Sequence, residues 1–251
     1  MALLTGGRRS SSSEKRSADG RMSIVEHLED LRRCLIISAI GWFAATIIAF
    51  VFWPKILQLL IVRAGLEKYG GLFYTHPAGA FTLGLTIALV VGLVGAAPII
   101  FWQAWTFVSP GLHQHERRLA LPLIFATSFF FLLGIGFALF SLPLFIRILT
   151  GFAPPDLHYF PLGDELIGFI LLITIAFGLV FELPVVLYTL GILRIISARW
   201  LYRHRIYWVV GLGLAANFMT PGADPLTPLL VFVPLYIFWE GTALLLKLTG
   251  H

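Results

Sequence analysis

Ser109-Pro110-Gly111-Leu112-His113-Gln114-His115-Glu116-Arg117-Arg118 is the first clearly polar segment after two long apolar runs, and a third run begins at Leu119. Six apolar runs can be counted along the chain, and this stretch joins the second to the third. Proline cannot continue a helix, and a charged loop belongs in water, so a Ser-Pro-Gly stop followed by packed charge reads as a chain leaving a bilayer and turning back. The acid in the stretch, Glu116, sits where basic residues collect, which makes it a candidate receptor for a cationic group.

Composition supports a membrane reading throughout. Of 251 residues, 58% are hydrophobic and 12% charged, with a mean hydropathy of +0.89. A soluble domain is nearer half apolar and a quarter charged. The expected fold class is all-α, a polytopic membrane protein with six transmembrane helices in one domain over 23–248. Residues 1–22, rich in Ser, Gly and Arg, read as a disordered cytoplasmic extension. Within it, Arg8-Arg9 has no apolar stretch in reach and is no export signal. Met22 is a possible alternative start. A single cysteine, Cys34, excludes a disulfide framework within one chain.

Ser23-Ile24-Val25-Glu26 has capping-box spacing. Ile24, Leu28, Leu31 and Leu35 then recur at helical spacing, predicting a short amphipathic helix on the membrane surface that runs into the first span. That span is expected over 35–53, ended by Pro54 and Lys55, with 56–62 lying along the interface. The further spans are expected over 77–105, bent at Pro98; over 119–149; over 163–193; over 206–220; and over 226–246. The fifth has only fifteen residues, roughly 22 Å at about 1.5 Å per residue, short of a ~30 Å hydrocarbon core. On this topology fourteen Lys and Arg fall on the side of both termini and the 109–118 loop, against four on the other. Both termini and that loop are therefore expected in the cytoplasm.

Few residues can carry chemistry. No metalloprotease, serine-hydrolase or phosphate-loop motif is present, and His113 and His115 have no third ligand nearby. No cofactor, metal or nucleic-acid partner is expected, and the chain is not read as an enzyme. Glu182, in Phe181-Glu182-Leu183-Pro184, falls mid-span, where an ionisable group costs roughly 2.5–3.5 kcal/mol and normally faces protein or water. Pro184 also frees the carbonyl of Val180. Glu240 lies in the sixth span, and Asp224 in the Pro-bounded turn before it. Glu116, Glu29 and Asp30 face the cytoplasm among basic groups. Two carboxylates across a groove can each take one guanidinium, since arginine pairs with carboxylate bidentately.

These residues resemble a known family. His27-Leu28-Glu29-Asp30-Leu31-Arg32-Arg33, Phe107 through Arg118, Phe177-Gly178 with Phe181 through Val185, and Thr220 through Asp224 are similar to motifs of TatC, the core receptor subunit of the twin-arginine protein translocase. The resemblance implies a concave, glove-like bundle in the bacterial inner membrane. It implies binding of the paired arginines of export signal peptides at the cytoplasmic face. Asp30 and Glu116 match the family's two signal-binding acids and Phe107 an aromatic of its recognition loop, with Glu29 and Arg117 beside them. It also implies that Glu182, with Pro184 and Glu240, serves the docking of single-span TatA and TatB helices, and that the proton-motive force drives transport. The chain departs from the family pattern in three respects. Asp30 is one methylene shorter than the usual Glu, Cys34 stands where a basic residue is common, and Pro228 where Gln is frequent. The alternative readings are a proton-coupled small-solute transporter using Glu182, and an intramembrane hydrolase.

Overall fold

The structure is a computed structural model that describes residues 24–69, 71–108, 120–151, 154, 156, 160–220 and 226–250. The extension over 1–22, the Ser23 cap, and the sites read at Glu116, Arg117 and Asp224 lie outside the described residues. Among the described residues, eight α-helices follow in order: α1 (Ile24–Ala64), α2 (Gly79–Val108), α3 (Ala120–Gly151), α4 (Gly163–Phe181), α5 (Leu183–Ile192), α6 (Ala198–Arg203), α7 (Arg205–Met219) and α8 (Leu226–Leu248). A short 3₁₀ turn (Leu66–Tyr69) follows α1. Among the described residues there is no strand, only an isolated parallel bridge between Phe73 and Leu162. The chain is all-α, as expected.

The first span does not end at Pro54. Helix α1 continues through that proline for ten more residues, so 56–62 is a continuation of the span and not an interfacial segment. Proline removes one backbone hydrogen bond, but packing against a neighbouring helix keeps the rest of the ladder in place. Trp53 lies against Gly84 of α2, and the edge of Phe50 meets Phe81. Leu60 and Ala64 are buried beyond them. The stop comes at Gly65, whose φ of 65° is the left-handed closing residue of a helix and whose N–H donates to Val62 O at 3.1 Å. The amphipathic start and the span are likewise one unbroken helix. Its 41 residues reach roughly 60 Å, about twice a hydrocarbon core.

Helix α2 returns antiparallel along α1 through small residues. Gly84, Ala88, Gly92 and Ala96 recur every fourth position; Gly84 gives room to the Trp53 ring and Gly92 brings its backbone against that of Thr46, the close packing that drives helix association in lipid. The Trp42 indole N–H donates to Leu89 O at 2.9 Å across the same seam.

The fourth span is two helices. Pro184 cannot donate to Val180, so α4 closes at Phe181 and α5 restarts at Leu183. Glu182, at φ −74° and ψ −18°, carries the turn between them, and its N–H donates to Leu179 O at 3.1 Å. Of this span's most apolar window 67% is buried, against 39% or less in the others, so the broken span is the centre of the bundle. Phe145, Phe177, Val231, Trp239 and Leu246 gather around it in one core cluster. Leu66, Ile87, Leu142, Ile167 and Ile170 form a second, toward the other end. Among the described residues, five helical segments are long and apolar enough to cross a membrane. The remaining α7 has the fifteen residues that made the fifth run short in sequence.

Candidate functional site

The N-terminal turns of α1 and the last turn of α2 meet at one end of the hairpin. The His27 and Phe107 rings stack at 4.3 Å with planes 18° apart. Asp30 is three residues beyond His27, on the same face of α1 one turn further along. It is half-buried, while Glu29 is exposed. Glu29, Arg32, Arg33, Ile36 and Ile37 line a shallow groove of about 350 Å³. Neither Glu29 nor Asp30 forms an ion pair among the described residues, so both carboxylates there can receive a cation. Glu116 and Arg117 lie between the end of α2 at Val108 and the start of α3 at Ala120. Helix α2 ends one residue after the ring that stacks on His27.

Glu182 is buried at the α4–α5 break, and its Oε1 has no hydrogen-bond partner. The backbone of Phe131 in α3 lies beside the carboxyl group. Helix α3 is brought close by glycine: a Cβ on Gly134 would stand 2.4 Å from Phe177 O. The ring of Phe181 packs edge-on against Phe238 of α8 at 4.6 Å. The carboxyl is thus enclosed by this chain's own helices, and Pro184 and Val186 carry the more open surface of the hinge.

Glu240 is not a lone acid in a span. Its Oε2 lies 3.2 Å from Arg205 Nη2, and the Tyr236 hydroxyl donates to the same oxygen at 3.2 Å. Arg205 in turn donates to the Tyr236 hydroxyl and sits over that ring, 5.7 Å from its centroid. Burial first, and then the Glu240 carboxylate, raise the pKa of Tyr202 in α6 above its ordinary value. This cluster pins the start of α7 to the middle of α8. Sequence reading had Glu240 but missed Arg205 and Tyr236 as its partners. The i, i+4 spacing of Tyr236 and Glu240 on α8 was the available signal; the reach to Arg205 had none. His27 was likewise passed over as a positioning residue.

Among the described residues no group of His, Cys, Asp and Glu could hold a metal ion.

A family model described as Sec-independent protein translocase protein (TatC) matches residues 26–234. A TatC protein of Carboxydothermus hydrogenoformans is 37% identical over 230 residues, which are 91% of this chain and 94% of that protein. One from Aquifex aeolicus is 34% identical, over 90% of this chain and 95% of its own. A crystal structure of the twin-arginine translocase receptor TatC superposes with a TM-score of 0.78 at 33% identity. It covers 90% of this chain and 100% of that one.

Proposed function

The chain belongs to the TatC family, whose members are subunits of the Sec-independent, twin-arginine protein translocase, and from that premise we propose how its receptor site works. Asp30 takes one guanidinium of a paired-arginine signal peptide and Glu116 the other. Glu29 and Arg117 shape the charge around them, and Phe107 gives the apolar flank of the peptide a ring to lie on. The observation that carries this reading is the His27–Phe107 stack. It holds the last turn of α2 beside a carboxylate on α1 with no ion pair among the described residues. Arginine suits such a site because it stays charged and presents a planar fork that a carboxylate can meet with two hydrogen bonds.

The rest follows from the same premise. The chain is a multi-pass membrane protein of the translocase. It sits in the bacterial inner membrane with both termini and the 109–119 loop in the cytoplasm, in line with the Lys and Arg count. It binds and assembles and does not transform a substrate. Its partners are single-span TatA- and TatB-type helices, and the proton-motive force supplies the work. Glu182 contributes through the hinge: a buried carboxyl oxygen without a partner favours any arrangement in which a polar group of a docking helix reaches it. Pro184 keeps that hinge open. Asp224 belongs to the connection between α7 and α8, on the external side.

The test is photo-crosslinking of a twin-arginine signal peptide to membranes containing the wild-type chain, Glu116→Ala or Asp30→Ala. Crosslinking should fall in both variants and be weakened by salt in the wild type, since the contact is ionic. Undiminished crosslinking in either variant removes that residue from the site.

A further inference from the structure

The α5–α8 end of the molecule carries charge that neither the receptor site nor the core uses. Residues 183–223 contain four arginines, Arg194, Arg199, Arg203 and Arg205, and no Asp or Glu. Arg205 is taken by Glu240. Arg199 and Arg203 are exposed, one turn apart on α6, and have no ion pair among the described residues. Beside them is an aromatic groove of about 320 Å³, lined by Trp200, His204, Tyr207, Trp208 and Gly211. The two tryptophan rings meet edge to face at 6.4 Å, and His204 Nδ1 lies 2.9 Å from Trp200 O. A carbonyl only accepts, so Nδ1 donates, and the imidazole is held in place as one wall.

We propose that this groove binds an anionic phospholipid, with the headgroup phosphate at Arg199 and Arg203 and an acyl chain running along α7 past Gly211. Three features select a lipid over another anion. Trp and Tyr are the residues that settle at headgroup level. The groove opens onto an apolar stripe, Tyr207, Val210, Leu214 and Phe218, all exposed and spaced to share one face of α7. An acidic protein segment would leave that stripe uncovered, whereas an acyl chain covers it. A Cβ at Gly211 would meet nothing within 4 Å, so the floor is open along the chain's path. The length of α7 brings the headgroups within reach. At roughly 22 Å the helix falls short of a ~30 Å core, and the bilayer must thin toward its ends.

The experiment reconstitutes the full chain into vesicles of phosphatidylcholine and phosphatidylglycerol in equal amounts. The acyl chains of one lipid or the other are brominated, and tryptophan quenching is read. Brominated phosphatidylglycerol should quench more strongly in the wild type. Removing two surface arginines with R199A/R203A should lower relative association by about tenfold or more and abolish the difference. G211L, which fills the floor and keeps every charge, should abolish it too, and R32A/R33A should not. Equal quenching by the two lipids in the wild type would overturn the proposal, as would a preference that survives R199A/R203A. A preference lost in R199A/R203A but kept in G211L would reduce the site to diffuse surface charge and overturn the groove. Loss of the preference on adding inorganic phosphate would show a free-anion site and not a lipid one.

Discussion

Gly92 of α2 and Thr46 of α1 meet backbone to backbone: a Cβ on Gly92 would stand 2.6 Å from the Thr46 Cα and 2.7 Å from its amide nitrogen. No side-chain rotation relieves a clash with backbone, so Gly92→Ala forces the two helices apart along the seam. Overpacking of this kind costs about 1–3 kcal/mol. Gly92→Ala should therefore lower the thermal unfolding midpoint in detergent. Gly136→Ala, at a helical position open to 4 Å, should hold or raise it. Equal midpoints for the two variants would mean that the hairpin does not depend on this contact. Since α1 and α2 also carry His27 and Phe107, Gly92→Ala should weaken signal-peptide crosslinking as well.

The break at Glu182 gives a second prediction, in which stability and function move in opposite directions. A buried oxygen without a hydrogen-bond partner carries a desolvation penalty of about 1–3 kcal/mol that an apolar side chain avoids. Glu182→Leu should accordingly raise the unfolding midpoint of the isolated chain while lowering export of a twin-arginine substrate in cells. Glu182→Gln keeps an oxygen acceptor in the same place and should change stability less. A drop in the midpoint for Glu182→Leu would show that the carboxyl has a favourable role within the chain itself.

Much of this arrangement could be read from the chain, and what could not has a physical reason. Apolar run length marks every span, and a rise of about 1.5 Å per residue makes α7 too short to cross on its own. Pro54 was misread as a stop. Sequence shows the proline's missing donor but not Gly84, 30 residues away, against which Trp53 seats and carries the helix on. Pro184 was seen as freeing Val180 O, but the division of the span at Glu182 depends on how α4 and α5 pack against α3 and α8. Glu240 was legible as an unusual acid; Arg205 is 35 positions away and was counted only as loop charge. His27 and Phe107 lie 80 residues apart, and no local pattern announces their stack. Local signals specified elements, whereas the contacts that position site residues are long-range.

The Arg205–Glu240 pair yields a third prediction. Both side chains remain partly open to water, at 53% and 37% relative exposure, so the contact is screened by salt. Its role is to fix where the short α7 starts against α8. Arg205→Gln and Glu240→Gln should each lower the midpoint modestly, and the double variant should lose no more than the larger single loss, because one interaction is removed twice. The difference between wild type and single variants should shrink at high ionic strength. Additive losses in the double variant would show two independent contributions and no pair.

Asp30 is where this chain departs from the Glu that its family resemblance leads one to expect, and its shorter side chain makes a graded test possible. Removing the charge with Asp30→Asn keeps the shape and takes away one charge-assisted hydrogen bond, on the order of 1.5 kcal/mol, or roughly tenfold in peptide affinity. The salt dependence of binding should flatten at the same time, because one ionic contact is gone. Asp30→Glu restores the charge with one more methylene of reach, so affinity should return to within a few-fold of wild type with its salt dependence intact. Phe107→Leu separates position from charge: it removes the ring stacked 4.3 Å from His27 and leaves every carboxylate in place. It should weaken binding while the salt dependence stays that of the wild type. If Asp30→Asn binds a twin-arginine peptide as tightly as wild type at low ionic strength, the guanidinium does not meet α1, and the receptor site must be sought elsewhere on the molecule.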